Sequence, residues 1–432
     1  MYIKDYKNKL ENRYDLKVFT DNVEYECLEQ VEQLLQQDVF KNSKIRLMAD
    51  THAGKGCVVG FTANLGDKVI PNVVGVDIGC GMLCANLGNI DIDLKYIDDV
   101  INKTVPSGRE SFQYTRTKFN KLNQLHCIKQ LKDTDNFEKQ IGTLGGGNHF
   151  IEINQDDNND KYLVIHTGSR NLGKQVADYY QNQAVELCSN KKQYEEQRQT
   201  IIDKYKNSGK QQEIQRVLKE YEQEFKNVLP KIPNELCYLT NEYRDMYLHD
   251  MKICQEYASL NRIIIAGNIL NELLGKCSFT LVNEKEIDIQ KAKQYNVSTT
   301  IPYFETIHNY IDFDDNIVRK GAISAYDGEK VIIPINMRDG SIIAIGRGNE
   351  DYNYSAPHGA GRIMSRSKAK QNINLQDYID TMKNVYSTSV CESTIDEAPF
   401  AHKPIEEIIN NITDTVDVIK IIKPIYNFKA SK

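Results

Sequence analysis

No stretch of the 432-residue sequence approaches the roughly eighteen uninterrupted apolar residues that a spanning helix needs. The opening residues, MYIKDYKNKLENRYDL, lack the apolar centre of a signal peptide, so a cytoplasmic protein with no membrane partner is expected. The ten cysteines contain no CxxC pair, and they have neither the density nor the spacing of a secreted disulfide scaffold. They read as reduced thiols, with a zinc ribbon or thioredoxin-type site disfavoured. The GxSxG elbow and the HExxH helix are both missing, which removes the commonest hydrolase readings. Excess basic charge is missing too: 54 Lys and Arg face 60 Asp and Glu, a formal charge of −6. Such a balance argues against nucleic-acid binding only weakly, because binding depends on where the charge sits.

What is present is an ordinary soluble composition, 40% hydrophobic and 26% charged, on a chain long enough to bury a large core. Glycine is clustered at 54–60, 75–81, 142–147, 168–173, 340–348 and 359–361. Between the clusters run β-branched segments, VIPNVVGV (69–76), YLVIHT (162–167), KVIIPI (330–335) and SIIAIG (341–346), which predict strands. Glycine-rich turns between strands are tight turns or places where backbone approaches something closely. From about Gln175 to Asn261 the sequence becomes helix-forming and charge-laced, punctuated by NSG at 207–209 and ended by PKIP at 230–233. This predicts a helical excursion, 175–261, with a solvated face. The expected fold is α+β: one large domain over 1–432, with short strands, glycine-rich turns and a central cleft.

Five of the eight histidines, His52, His149, His166, His308 and His358, occupy small-residue or strand-like contexts. Asp77 and Cys80 lie three apart in the Gly-flanked turn VGVDIGCGM, able to aim at one ion. Imidazole, thiolate and carboxylate together suit Zn, Mn or Co, and the mixture alone does not choose. Three short motifs fail. GSRNLGKQ (168–175) has a phosphate-loop frame, but Gln175 stands where Ser or Thr must hold magnesium. GKGCVVG (54–60) is one residue too long for a dinucleotide fingerprint. ETIH (305–308) occurs once, whereas di-metal bundles need the motif twice. In HGAGRIMSRSKAKQ (358–371), Arg362, Arg366, Lys368 and Lys370 follow His358 with no acid among them. A basic run beside a nucleophile-capable imidazole invites phosphate chemistry, while a helix start with an ordinary basic face is equally consistent.

Taken in order, DTHAGKG, the segment 71–82, GTLGGGNHFIE (142–152), HTGSRNLG (166–173), YLHDMK (247–252), the His308–Asn309 pair, HGAGRIMSR (358–366) and DEAPFAHK (396–403) closely resemble RtcB-type RNA ligases. The resemblance spans roughly residues 45–430. It implies a ligase dependent on GTP and two Mn²⁺ ions, joining RNA ends with a 2′,3′-cyclic phosphate or 3′-phosphate to a 5′-hydroxyl end. Carried over by position, the metal ligands are Asp77, Cys80, His149, His166 and His308, and His358 becomes covalently attached to GMP. The guanylate pocket draws on Asn148, His149, Phe150, Ile151 and Glu152, on His308 and Asn309, and on Pro334, Ile335, Asn336, Met337 and Ser341. Its remaining members are His358, Gly359, Ala360, Gly361 and Lys429.

Asp50 is expected to orient His358 or a nearby ligand. Arg362 and Arg366, with Arg170 and Lys55 as weaker candidates, are expected to hold RNA phosphates, and Lys429 and Lys432 add to this positive side. One departure stands out: where many family members write Pro-Gly-Ser-Met-Gly, this chain has Pro334-Ile335-Asn336-Met337-Arg338-Asp339-Gly340. The competing readings are a metal-dependent RNA phosphatase or cyclic phosphodiesterase, and a non-ligating RNA-binding paralogue. The intact set of six metal and nucleophile residues argues against the last. The physiological RNA, an activating protein partner and the oligomeric state are not legible.

Overall fold

The computed structural model describes residues 3–54, 56–228, 232–275, 279–285 and 300–430. Lys55, Pro230, Lys231, Cys277 and Lys432 lie outside the described residues. The architecture is α+β, built on two sheets. The larger has eight strands in the order Lys330–Asn336, Gly340–Gly346, Val416–Lys429, Phe150–Gln155, Lys161–Thr167, Gly81–Gly88, Thr300–Ile307 and Thr280–Asn283. All its pairings are antiparallel except the last. The smaller runs Leu16–Val18, Ile45–His52, Val59–Asn64, Ile317–Lys320 and Asn309–Asp312.

Three of the four predicted strands form. The fourth, 69–76, does not: after the short strand Lys68–Val69 the chain turns into a helical turn, Pro71–Val74. Pro71 stands at the start of that turn, where its missing N–H costs nothing and its fixed φ suits a helix. Pro334 sits in strand Lys330–Asn336, and the ladder shifts register between Pro334 and Asn336, as expected where one residue cannot donate.

Helices Arg170–Cys188, Lys191–Asn207, Ile214–Val228 and Asn241–Leu273 cover the predicted helical region and overrun its bounds, 175–261, at both ends, the last helix lying wholly beyond PKIP. They differ physically. The first and last bury a continuous stripe, including Leu172, Val176 and Tyr180 on one and Tyr247, Cys254, Ala258, Arg262, Ile265 and Ile269 on the other. These positions recur at the i, i+3, i+4 spacing of a core-facing helix. The middle two pack mainly on one another, with Tyr194 stacked on Tyr221 at 5.4 Å and Phe225 beside it. Their outer faces carry exposed ion pairs such as Arg216–Glu220.

Alternation along the strands of the large sheet divides its faces. Leu83, Ile151, Ile153, Leu163 and Ile165 pack with Ile265 and Ile269 of the long helix. Met82, Phe150, Val164 and Phe304 face the opposite way, toward Ile332, Ile343 and Ile422. No helix among the described residues is long and apolar enough to cross a membrane.

Candidate active site

Strand register assembles the site. In the large sheet Lys429 pairs with Phe150, Phe150 with His166, His166 with Met82, and Gly81 with Ile307. His149, Cys80 and His308 are the residues adjoining this row, so four neighbouring interior strands bring their imidazoles and thiol to one end of the sheet. The Nε2 atoms of His149 and His166 lie 3.5 and 3.3 Å from Cys80 Sγ, and His166 Nε2 is 3.3 Å from His308 Nε2. Asp77 Oδ2 lies 2.9 Å from His149 Nε2. Two donor triads result, Asp77–Cys80–His149 and Cys80–His166–His308, sharing the sulfur.

Backbone carbonyls aim the imidazoles. His149 Nδ1 is 2.9 Å from Leu144 O, and His166 Nδ1 is 3.2 Å from Asn148 O. A carbonyl only accepts, so each Nδ1 carries the proton and each Nε2 turns a lone pair toward the sulfur. Burial, reinforced by neighbouring imidazoles, holds His166 and His308 well below the usual histidine range, keeping them in the neutral, ligating form. Burial would raise the Asp77 carboxyl, but the charge and Nε2–H hydrogen bond of a doubly protonated His149 ring outweigh it and bring it to about 2, a pairing that an ion between Asp77 and the Nε2 lone pair would replace. Burial and Asp77 push the Cys80 thiol well up. A coordinated cation reverses that effect and deprotonates a thiol outright, so this donor set fits a divalent ion at each triad.

The glycines explain themselves here. A Cβ on Gly168 would lie 2.1 Å from Asp77 Oδ1, so only glycine lets that backbone pass the carboxylate. Gly361, at φ +68°, packs against Asp50, where a Cβ would stand 2.7 Å from the Asp50 carbonyl oxygen.

Beside the triads, His358 Nδ1 is 2.6 Å from Asp50 Oδ2, and the His358 ring is 4.9 Å from that of His308. His52 joins the same corner through Asp50 O at 3.0 Å. A cavity of about 410 Å³ opens here, within the range of small-molecule sites. It is lined by Asp77, Asn148, Phe150, Glu152, His166, His308, Asn309, Pro334, Ile335, Asn336, Met337, His358, Gly359, Ala360, Gly361 and Lys429. Cys80 and His149 are buried behind the wall. Three residues of the expected nucleotide pocket therefore do not line it: His149 is behind the wall, Ile151 points into the core against the long helix, and Ser341 is fully buried. The Asn336 side chain is spent on its own turn, accepting the N–H groups of Arg338 and Asp339 at 3.0 and 2.9 Å and donating to Asp339.

The basic run is less free than its sequence implies. Arg362, Arg366 and Lys429 converge on Glu397 at 3.4, 3.1 and 3.0 Å, and Arg366 and Lys370 reach Asp396 at 3.5 and 3.6 Å. Burial would raise Glu397, but Lys429 and the two arginines bring it down to about 2. His402, beside it, is lowered to about 4 by burial. The helix start is also there, with Ser365 capping Arg366–Asn372. Arg170 is turned inward, its guanidinium bonding Thr143 Oγ1 and Gly108 O. Burial raises Glu152 to about 7, against hydrogen bonds from Asn154 and Asn427.

Sequence reasoning missed the residues that hold the ligand loops. Asn261 accepts from the N–H groups of Gly142 and Thr143 and donates to Thr143 O and Gly168 O. Its neighbour Arg262, fully buried, donates from Nη1 to Gly79 O and Thr167 O, both at 2.9 Å, and from Nε to Glu305 at 2.6 Å. One helical turn therefore grips the loops of Cys80, His149 and His166. The only signal was polar residues on the buried stripe of an otherwise apolar helix face.

The family model described as tRNA-splicing ligase RtcB matches residues 30–134 and 124–430. The chain is 30% identical over 424 residues to RNA-splicing ligase RtcB1 of Escherichia coli strain ATCC 25922, with 91% of each chain covered. It is 29% identical over 424 residues to RNA-splicing ligase RtcB of Escherichia coli K12, again covering 91% of each. Against tRNA-splicing ligase RtcB of Nanoarchaeum equitans it is 25% identical over 461 residues, covering 87% of this chain and 85% of that protein. A match of this extent places the chain in the RtcB family and makes it an RNA ligase.

Proposed function

We propose that this ligase uses GTP and manganese to join RNA ends bearing a 2′,3′-cyclic phosphate or 3′-phosphate to 5′-hydroxyl ends, in RNA repair or tRNA splicing, through GMP carried on His358. The observation that carries the reading is the buried Asp50 carboxylate against His358 Nδ1, beside two donor triads that share a thiol. Asp77, Cys80 and His149 would hold one Mn²⁺, and Cys80, His166 and His308 the other. Bound there, two cations supply positive charge against a triphosphate.

The remaining steps fall to the protein's own groups. With its Nδ1–H donated in a hydrogen bond to Asp50, the neutral His358 ring keeps a lone pair on Nε2, which attacks the α-phosphorus. The Nε2–phosphorus bond forms as the bond to pyrophosphate breaks. Phe150, Glu152, Asn309, Pro334, Ile335, Met337, Gly359, Ala360, Gly361 and Lys429 enclose the nucleoside. Glu152 as acceptor and Lys429 as donor suit the edge of a guanine. The RNA 3′-phosphate then takes GMP from His358, and the 5′-hydroxyl displaces GMP to close the phosphodiester. A cyclic end is hydrolysed first. Arg366, half exposed, and Arg362 line the cavity and are the cationic groups proposed for RNA phosphates.

The test is incubation with labelled GTP and Mn²⁺, followed by mapping of the labelled residue. An acid-labile label on His358, absent from His358→Ala, is expected. A label elsewhere overturns the mechanism, and phosphate release from a 3′-phosphorylated oligonucleotide without GTP would favour a hydrolase instead.

A further inference from the structure

A second cluster of metal-ligand side chains lies outside the cavity. His126 follows the 3₁₀ turn Asn120–Gln124, and His249 sits in the first half of helix Asn241–Leu273. Both are exposed, and their rings meet edge to face with centroids 4.7 Å apart. One carboxylate sets this spacing. Asp250 Oδ1 accepts the backbone N–H of His126 at 2.8 Å and lies 3.1 Å from His249 Nδ1, so a single oxygen ties both histidines together. Its Oδ2 accepts the Cys127 N–H at 3.1 Å and the Tyr180 hydroxyl at 2.8 Å. Asp250 itself has no solvent exposure, and it offers one oxygen within 4.8 Å of a nitrogen on each histidine.

A buried carboxylate already accepting from four donors has no lone pair to spare for an ion; its part is to orient. By accepting the Nδ1 proton of His249 it fixes the tautomer whose Nε2 lone pair is available, the carboxylate–histidine–metal arrangement. The His126 ring has no hydrogen-bond partner among the described residues. We infer that His126 and His249 form an exposed two-imidazole site for a borderline divalent cation of the zinc, nickel or copper kind, with Asp250 as the positioning residue and water filling the remaining positions. With no thiolate and no carboxylate ligand, this site follows the ordinary preference of imidazole and takes those ions far ahead of Mn²⁺ or Mg²⁺. Its chemistry thus differs from that of the triads around Cys80. An ion there would tie the 120–130 segment to the helix that carries Asn261 and Arg262.

Equilibrium dialysis of the full chain against Zn²⁺ at neutral pH tests this by counting bound equivalents in wild type, His126→Ala, His249→Ala and His249→Gln. Each variant is expected to bind one equivalent fewer than wild type, while the Co²⁺-loaded protein keeps the thiolate-to-metal absorption of the Cys80 centre and GTP labelling is unchanged. Equal counts in wild type and variants overturn the site. A missing equivalent accompanied by loss of the thiolate absorption also overturns it, since the ion lost would belong to Cys80. Because the count does not depend on ligation, failure of the GMP–His358 reading would leave this result intact.

Discussion

His358 and Asp50 stand 308 residues apart in the chain and 2.6 Å apart in space. Asp50 is completely buried, and its second oxygen, Oδ1, has no hydrogen-bond partner among the described residues. Among the described residues the side chain of this carboxylate bonds the histidine alone. It accepts the Nδ1–H hydrogen bond, keeps the proton on Nδ1 and so leaves Nε2 as the only nucleophilic nitrogen, on a ring whose centroid is 4.9 Å from that of His308.

Asp50→Asn should therefore lower the rate of GMP attachment by about 10²- to 10⁴-fold while leaving the fold intact, because an amide N–H facing Nδ1 selects the wrong tautomer. Single-turnover labelling with radioactive GTP, alongside circular dichroism, measures both. Wild-type labelling in the Asn variant would show that Asp50 does not govern His358.

Arg262 touches no cavity atom, yet it bonds the carbonyls next to Cys80 and His166. Arg262→Met strands Glu305 and should cost about 3–5 kcal/mol of stability, as breaking a buried pair does. The looser ligand loops should also weaken Mn²⁺ binding by about 10- to 100-fold, with Arg262→Lys intermediate. Thermal melts and Mn²⁺ titration separate the two effects. A variant that melts early but binds Mn²⁺ normally would make Arg262 purely structural.

Asp50 and Arg262 fall on opposite sides of what the sequence discloses, the first expected beside His358 from its motif and the second not. Strands Lys161–Thr167 and Gly340–Gly346 are legible because β-branched runs between glycines have few other uses. The ligand residues are recognisable as residue types in glycine-flanked contexts, but their convergence depends on the register of four strands, which no local pattern encodes. The segment 358–371 counts as +4 alone; its counter-charges, Asp396 and Glu397, arrive from a different part of the chain. The segment 69–76 looked like a strand because Val and Ile outvoted Pro71, whose place at a helix start decided the matter.

Glu152 gives a pH signature. Burial lifts its carboxyl from 4.5 to about 7 in the folded protein. Between those values the folded state keeps a proton that the unfolded state has released, so stability falls as pH rises through this window and levels off above 7. The penalty amounts to about 3 kcal/mol. Glu152→Gln removes the charge that causes it, so the variant should gain on wild type by up to that amount between about pH 5 and pH 8, in denaturant titrations of the metal- and nucleotide-free protein. A pH-independent difference would show that Glu152 does not titrate there.

Arg366 joins the cavity to the outside: its guanidinium, half exposed, bridges Asp396 and Glu397 and lies near Gly147. Because both carboxylates are buried and fixed, RNA phosphate approaching this side chain meets a cation whose charge is partly answered already. The contact should consequently be sensitive to salt but modest in strength. For single-stranded RNA each neutralised phosphate contributes about −0.7 to the slope of log K against log salt. Arg366→Ala should reduce that slope by about 0.7 and weaken binding alike for all sequences, since a phosphate contact carries no base information. Filter binding or fluorescence anisotropy of a 3′-phosphorylated oligonucleotide across a salt series gives the slope directly. An unchanged slope in Arg366→Ala would mean that RNA phosphate passes elsewhere, and that the cluster with Glu397 serves only to hold Lys429 and the cavity wall in place.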